Sequence, residues 1–231
     1  MGRAIVEVAK GEAAVEIVAL CDMGDPIEPA ISNSDVVIDF SHPGAIGDVC
    51  AAASRHRRPL VIGTTGHSPE QRAEIERCAA SVAVVLSSNF SIGVNALFWL
   101  TRKAGEMLGP DFDLEIVEMH HRLKKDSPSG TALTLSEILQ TQRELAPVHG
   151  RHGQVGERKA NEIGIHSVRG GDVVGDHTVI FAGAGERVEL THRATSRQTF
   201  AAGALRAARW IVGRSPGLYS MEDVLGLSAR K

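Results

Sequence analysis

Asp35-Val-Val-Ile-Asp-Phe40 and Pro59-Leu-Val-Ile-Gly63 are short runs with continuous apolar centres. Strands that are buried on both faces of a parallel sheet have this pattern. Residues 14–20 (Ala-Val-Glu-Ile-Val-Ala-Leu) and 82–86 (Val-Ala-Val-Val-Leu) are similar in composition, and we expect them to form two further strands. Because helical patterns lie between the runs, the first third of the chain predicts a doubly wound, parallel α/β sheet.

The segments between the strands carry helix signals. Residues 45–56 and 69–80 have helical spacing, and Ser68 followed by Pro69 is typical of a helix N-terminus. In doubly wound sheets, ligands bind outside the carboxyl ends of the strands. We therefore expect a binding site at four strand ends, which are Cys21-Asp22, Phe40-Ser41-His42, Gly63-Thr-Thr-Gly66 and Ser87-Ser-Asn-Phe90.

The pattern changes after residue 90, where strands and helices no longer alternate. The expected elements are helices over residues 94–108 and 132–145, a strand over 114–119, a loop over 147–159, and three successive strands over 163–168, 177–181 and 187–191. A run of strands with helices apart from it is typical of an α+β domain. We predict such a second domain, followed by a helix over residues 200–212 and a last short helix that begins at Ser220.

Composition limits the classes of partner. The 231 residues include 25 Lys and Arg against 28 Asp and Glu, so the net charge of −3 gives no reason to expect a nucleic acid or a membrane surface as partner. Three separated cysteines favour the reducing cytoplasm over a disulfide scaffold. No apolar run approaches the roughly 20 residues of a membrane-spanning helix.

The densest group of reactive side chains is residues 118–131, Glu-Met-His-His-Arg-Leu-Lys-Lys-Asp-Ser-Pro-Ser-Gly-Thr. Clustered cations disfavour one another's protonation, so we expect lowered pKa values for His and Lys here and proton donation near neutral pH. The Pro-Ser-Gly-Thr end opens a helix, whose first N–H groups suit a carboxylate. The string predicts a pocket for a small polycarboxylate with a proton donor beside it, whereas a shorter match would favour a solvated basic loop.

The polar strand ends of the first domain suggest a dinucleotide. Glycines in residues 63–66 allow close backbone approach, Asn89 and Phe90 offer an amide and an aromatic face, and Asp22 suits ribose hydroxyls. Each feature also has a simpler explanation, namely a turn, an interdomain hinge with one core aromatic, and a turn aspartate. His149 and His152 share a glycine-rich loop without a further ligand, so we predict no metal site.

Taken together, these motifs resemble the 4-hydroxy-tetrahydrodipicolinate reductase (dihydrodipicolinate reductase) family. Besides residues 118–131, the likeness rests on Val36-Val-Ile-Asp-Phe40, Gly63-Thr-Thr-Gly66, Ser88-Asn-Phe-Ser91, Gly170-Gly-Asp-Val-Val-Gly-Asp-His177 and Thr191-His-Arg-Ala-Thr-Ser-Arg-Gln-Thr-Phe200. It implies a Rossmann-like dinucleotide-binding domain (residues 1–90 and 201–231) and an α+β domain for substrate binding and tetramerisation (residues 91–200). The implied protein is a cytoplasmic homotetramer of lysine and diaminopimelate biosynthesis.

The resemblance also implies residue roles in the NAD(P)H-dependent reduction of 4-hydroxy-tetrahydrodipicolinate, with loss of water. By this resemblance His120 is the catalytic proton donor and acceptor, Lys124 is a proton donor, and His121, Gly130 and Thr131 bind the substrate carboxylates. The implied cofactor-binding residues are Asp22, Gly63, Thr64, Thr65, Ser87, Ser88, Asn89 and Phe90. Met23 stands where some members have a basic residue for the 2′-phosphate of NADPH, and this favours NADH.

The chain departs from the family pattern near its start. Members begin with a strand and a Gly-x-x-Gly-Arg-Met-Gly loop, whereas this chain begins Met1-Gly2-Arg3, and residues 23–34 carry only turn signals. We expect either a coding start upstream of Met1 or a catalytically impaired homologue that lost its cofactor loop, with weak dinucleotide binding by these 231 residues. A different oxidoreductase on the same two-domain plan is the third hypothesis, which substrate choice tests.

Overall fold

The computed structural model describes residues 1–228, which fall into two compact units. The first unit contains Met1–Ile92 and the chain from Gln198 onward, and the second contains Gly93–Arg197. In chain order the elements are α1 (Gly2–Ala9), α2 (Ile27–Ser32), β1 (Val37–Asp39), α3 (Ile46–His56), β2 (Leu60–Ile62), α4 (Pro69–Ala79), β3 (Ala83–Leu86), α5 (Ile92–Leu108), β4 (Asp113–His120), α6 (Gly130–Gln140), β5 (Ala146–Val148), β6 (Glu162–Arg169), β7 (Gly175–Ala182), β8 (Arg187–Ala194), α7 (Gln198–Ile211), β9 (Gly217–Tyr219) and α8 (Met221–Leu225). Within the described residues, no helix combines the length and the apolar character that crossing a bilayer requires.

The first unit is built around a parallel sheet of four strands in the order β1-β2-β3-β9. Apolar side chains cover both faces of this sheet. One cluster contains Phe90 and Leu205, to which α1 and α7 contribute, and the other contains Ile46 and Ile75 from α3 and α4. This arrangement confirms the predicted α/β class, and it brings the carboxyl ends of β1, β2 and β3 to one edge of the sheet.

The predicted strand over residues 14–20 is wrong. The segment forms no strand, and Val18 and Leu20 are 54% and 69% exposed. A strand is stabilised by hydrogen bonds to a neighbouring strand, and within residues 1–228 the sheet offers this segment none. The next stretch, which was predicted to contain only turns, includes α2, whose Ile31 is buried.

The second unit is an α+β unit with a five-stranded sheet in the order β5-β6-β4-β7-β8. The central strand β4 runs parallel to β6 and antiparallel to β7. Alternate side chains of β4, including Leu114 and Ile116, join a core cluster with apolar residues of α5 and α6. The predicted change of architecture after residue 90 is confirmed.

Two predicted boundaries in this unit are wrong. Helix α6 ends at Gln140 instead of residue 145, because Thr141 turns its hydroxyl onto the Ile138 carbonyl and Gln140 caps the carbonyl of Leu145. The predicted loop over residues 147–159 overlaps β5, which pairs with β6 at the edge of the sheet. The first error concerns local side-chain hydrogen bonds at the end of the helix, and the second concerns pairing with a strand that is distant in sequence.

Candidate active site

Strand β4 places the predicted proton donor on the buried face of its sheet. Glu118 and His120 alternate with partly buried neighbours and share a face with Leu114 and Ile116. Both side chains are buried, and Glu118 is completely so. A charged or polar side chain on such a face is stable only when it has partners, so the contacts of this pair define the site.

Glu118 accepts hydrogen bonds from several neighbouring groups. Two come from the guanidinium of Arg169 at 2.7 Å each, one from Nδ1 of His120 at 2.6 Å, and one from the backbone N–H of Ser129 at 3.1 Å. Burial raises the pKa of the Glu118 carboxyl, but the bonds from Arg169 and His120 outweigh burial and bring it to about 2. Glu118 is therefore an anion at neutral pH.

His120 has a lowered pKa, in the predicted direction but for a different main reason. Burial is the largest cause, and the nearby cations Lys124 and Arg169 add to it, while Glu118 opposes both effects. The predicted repulsion among cations therefore contributes without dominating. A buried imidazole with a lowered pKa gives up a proton readily, which suits a general acid.

A second buried histidine lies beside this pair. His177 faces Glu118 across the β4–β7 ladder, and its ring meets the His120 ring edge-on at 5.1 Å between centroids. Its Nε2 lies 2.9 Å from the Ser129 hydroxyl, whereas Nδ1 is buried without a hydrogen-bond partner among the described residues. Burial and the charge of His120 lower the pKa of His177 to about 3, so His177 is neutral at neutral pH.

The loop after β4 holds Lys124 near the same site. The Lys124 ammonium pairs with Asp126 at 2.9 Å, and the Lys124 side chain is only 19% exposed. The electric field of Lys124 also reaches His120 and His177. His121 is half-buried, and its backbone N–H donates to the carbonyl of Val173. Lys124 therefore contributes positive charge to the surroundings of both histidines.

Helix α6 starts at Gly130, where the sequence predicts that the first N–H groups of a helix bind a carboxylate. Ser129 is the N-cap residue, and its hydroxyl accepts the N–H of Ala132. Gly130 and Thr131 form the first turn, with Gly130 exposed and Thr131 half-buried. Because first-turn N–H groups have no acceptor within the helix, this turn favours an anion. His120, Lys124 and this turn all belong to the second unit.

The first unit presents polar groups at the carboxyl ends of β1 and β2. Buried Asp39 accepts a 2.8 Å bond from the Thr64 hydroxyl and further bonds from the hydroxyl and N–H of Ser41. Thr65 is exposed, and Gly66 has φ +84°, a conformation that favours glycine. The two loops are thus tied together by one carboxylate.

Comparison with known proteins agrees with this geometry. The profile described as "Dihydrodipicolinate reductase, N-terminus" matches residues 1–90, and "Dihydrodipicolinate reductase, C-terminus" matches residues 93–225. The chain belongs to the dihydrodipicolinate reductase family. The predicted family, the oxidoreductase class that uses NADH or NADPH, and the two-part fold are thereby confirmed.

Individual relatives of this reductase family cover nearly the same length. The chain is 56% identical to 4-hydroxy-tetrahydrodipicolinate reductase of Akkermansia muciniphila, over 99% of this chain and 94% of that protein. It is 50% identical to the enzyme of that name from Syntrophotalea carbinolica, over 87% and 77%. A dipicolinate-bound dihydrodipicolinate reductase from Paenisporosarcina sp. TG-14 shares the fold, with a TM-score of 0.77 at 24% identity over 95% and 92% of the two chains.

The loops at the end of β2 fit the dinucleotide that the reductase family uses. Gly66 provides a tight turn, and Thr64 and Thr65 bring hydroxyls and backbone N–H groups to the strand end. Nε2 of His67 is buried there without a hydrogen-bond partner among the described residues, which leaves one polar atom for a ligand. At the end of β3, Ser87 donates to the carbonyl of Asn89, and Ser88 is exposed.

Two of the predicted cofactor-binding residues, Gly63 and Phe90, are required for packing of the hydrophobic core around Phe40. The Phe90 ring is 1% exposed and meets the Phe40 ring edge-on at 5.5 Å, so it offers no face to a ligand. At Gly63, a Cβ atom would come within 2.2 Å of the Phe40 ring, so glycine is needed there for core packing. The simpler explanation, a core aromatic next to a polar turn, therefore holds for the side chain of Phe90.

Asp22 does not follow a strand, contrary to the prediction. It lies in an exposed turn in which its carboxylate accepts the N–H of Met23 and its own N–H donates to Asp25. The preceding segment is unpaired, so the strand that would aim Asp22 at a ribose is absent from the described structure. The ribose-binding role of Asp22 stays a prediction.

The sequence did not predict the partners of Glu118 and His120. Arg169 is 51 residues from Glu118 along the chain, and His177 is 48 residues from Ser129. The available signal was the alternation of β4, which places Glu118 and His120 on an otherwise apolar face. Among residues 1–228, no three His, Cys, Asp or Glu side chains are grouped so that they could hold a metal ion.

Proposed function

We propose that this chain reduces 4-hydroxy-tetrahydrodipicolinate to tetrahydrodipicolinate with NADH or NADPH, in lysine and diaminopimelate biosynthesis. The observation that carries the proposal is the buried His120, which lies within one unit beside Lys124 and the helix start at Gly130. Relatives that carry this activity in their names span most of the chain. An impaired homologue is not favoured, because the identity extends over both halves.

The residues divide the work between binding and proton transfer. The first turn of α6, at Gly130 and Thr131, binds one substrate carboxylate together with His121. His120 donates the proton that accompanies reduction. Lys124 stabilises the negative charge of the substrate carboxylates and assists proton donation. The dinucleotide, when bound, supplies the hydride. The substrate gains a hydride and a proton and loses one water molecule from its ring, so atoms and charge balance.

We assign the dinucleotide to the strand ends of the first unit. The proposed cofactor residues are Asp22, Gly63, Thr64, Thr65, Ser87, Ser88, Asn89 and Phe90, of which Gly63 and Phe90 act through their backbones. Met23 is 99% exposed and uncharged, so it offers no cation to a 2′-phosphate, which favours NADH. Equal kcat/KM values for NADH and NADPH would overturn this preference.

We further propose a homotetramer in the reducing cytoplasm. The face of the second sheet opposite α5 and α6 carries Val117, Ile180 and Val168, which are partly or largely exposed in the single chain. Apolar residues on a sheet face favour packing against another sheet. Free Cys21, Cys50 and Cys78 suit a reducing compartment.

Oxidation of NADH upon addition of 4-hydroxy-tetrahydrodipicolinate tests the activity directly. We expect turnover by the wild type and a decrease in kcat of about a hundredfold for His120→Gln, because a general acid contributes factors of this size. His152→Gln in the exposed loop is the control and should keep the wild-type rate. A folded wild-type chain without turnover would overturn the proposal and favour the impaired homologue.

A further inference from the structure

Glu118 contacts both halves of the proposed substrate site. One oxygen, Oε2, accepts Nδ1 of His120 at 2.6 Å, and the other, Oε1, accepts the N–H of Ser129 at 3.1 Å. Ser129 is the N-cap of α6, whose first turn we assign to a substrate carboxylate. We propose that Glu118, held by Arg169, is a positioning residue that fixes His120 relative to the first turn of α6, where the substrate carboxylate binds. The inference rests on the proposed function.

The charge of Glu118 decides which imidazole nitrogen carries the proton. An ionised carboxylate can only accept, so Nδ1 of His120 must be the donor in the 2.6 Å contact. Nε2 is then the atom left to exchange a proton with the substrate. It lies on the side of Gly175, where a Cβ atom would come within 2.9 Å of it. The glycine therefore keeps space beside the reactive nitrogen.

Arg169 holds Glu118 in one orientation and also reaches the catalytic loop. Its two terminal nitrogens bind the two carboxylate oxygens, one each, and Nη2 donates as well to the carbonyl of Asp126 at 2.9 Å. A two-pronged contact of this kind fixes the plane of the carboxylate. The loop is therefore bonded to Glu118 at both ends, through His120 and Ser129, and to Arg169 in its middle, at Asp126.

A purely structural ion pair is the competing explanation, and the same strand provides its matched control. Glu115 lies on the opposite face of β4, binds Arg151 twice at 3.0 Å, and contacts Nε2 of His166 at 2.7 Å. Its pKa also falls to about 2, because hydrogen bonds from Arg151 and His166 outweigh burial, which raises it. Glu115 thus copies the chemistry of Glu118 without touching the proposed site.

The experiment compares Glu118→Gln with Glu115→Gln in the whole chain. Burial lowers the pKa of His120 and Glu118 opposes that effect, so E118Q should move the alkaline limb of the kcat profile to lower pH. We expect kcat to fall about tenfold and the Kd for dipicolinate to rise about threefold. Nitrogen NMR of His120 should show loss of the single Nδ1–H tautomer. E115Q should lower Tm without these changes.

The outcomes separate positioning from structure and from the function itself. E118Q with a reduced Tm but the wild-type pH limb, dipicolinate affinity and tautomer would overturn the proposal. Arg169→Lys is the second variant if E118Q fails to fold, and we expect it to change tautomer and affinity in the same direction; unchanged values would count against the proposal. NMR and dipicolinate binding need no turnover, so they still decide the inference if the proposed activity fails.

Discussion

Gly175 is the position where an added side chain would come close to His120, the proposed proton donor. An added Cβ would lie 2.9 Å from Nε2 of His120, closer than real Cβ atoms approach a neighbour, and Gly175 has no positive φ that would strain an alanine. We predict that Gly175→Ala displaces the imidazole and lowers kcat by about tenfold or more, since displacements near 1 Å cost up to a hundredfold. Steady-state kinetics of the purified variant measures the effect.

Gly170→Ala is the matched control in the same glycine-rich segment. There, a Cβ atom would meet only the flexible end of Met119 at 3.4 Å. We expect G170A to keep kcat within about twofold of the wild type, because a methionine side chain adjusts easily. Equal losses in both variants would show that the segment tolerates no side chain and that His120 is not the group affected.

His177 makes the stability of the fold depend on pH. Its pKa falls from the ordinary value of 6.5 to about 3, chiefly through burial, so between these pH values the unfolded chain binds a proton that the folded chain does not. Stability therefore decreases as pH falls from 6.5 towards 3, by up to about 1.4 kcal/mol per pH unit from this residue. We predict that His177→Asn removes this part of the slope in urea unfolding between pH 6 and 4. An unchanged slope, or an equal change in His152→Asn, would refute the assignment.

Asp39 connects two elements, because it ends β1 and holds the loop that follows β2. Its carboxylate accepts the hydroxyls of Thr64 and Ser41, and it is buried. In Asp39→Asn the amide cannot accept on both sides, and hydrogen bonds to a charged group contribute about 1.5–3 kcal/mol. We predict that the Kd for NADH, measured by calorimetry, rises about tenfold. Exposed Asp35→Asn is the control, and a wild-type Kd in D39N would separate this carboxylate from cofactor binding.

The elements that the sequence predicts well are those whose signal is local. The apolar runs at β1, β2 and β3 and the Ser68 cap of α4 are all found, because burial on two faces and capping depend on neighbouring residues. Residues 14–20 have the same composition but lack a pairing strand in the described structure, and composition alone cannot supply one. Strand-forming sequence is therefore necessary for a strand but not sufficient.

The candidate site shows the same division between local and distant information. The sequence from Glu118 to Thr131 predicts both the proton donor and the carboxylate-binding helix start, because the residues that form them are contiguous. The register of β4 with β6 decides that Arg169 reaches Glu118, and the register with β7 places His177 opposite Glu118. Pairing register is a property of the folded sheet, so these partners could not be predicted from spacing along the chain.

At the scale of the whole molecule, the second sheet has two faces with different roles. One face carries the core and the Glu118–His120 pair, and the opposite face carries Glu115 with its arginines next to apolar Val117 and Ile180. If the tetramer forms through this second face, a new carboxylate in it would be buried beside Glu115, which already engages Arg151 and Arg158. Burial of an unpaired charge is costly enough to separate subunits.

We therefore predict that Ile180→Glu converts the proposed tetramer into smaller species in size-exclusion chromatography with light scattering. Ile180 lies opposite Glu115 in the β4–β7 register, so the new carboxylate also meets a like charge. Met107→Glu on α5, where the side chain is already 83% exposed, is the control and should leave the assembly unchanged. Because His120 faces the other side of the sheet, I180E should retain the Nδ1–H tautomer of His120 even as it dissociates. A tetramer that survives I180E would place the subunit interface on another surface.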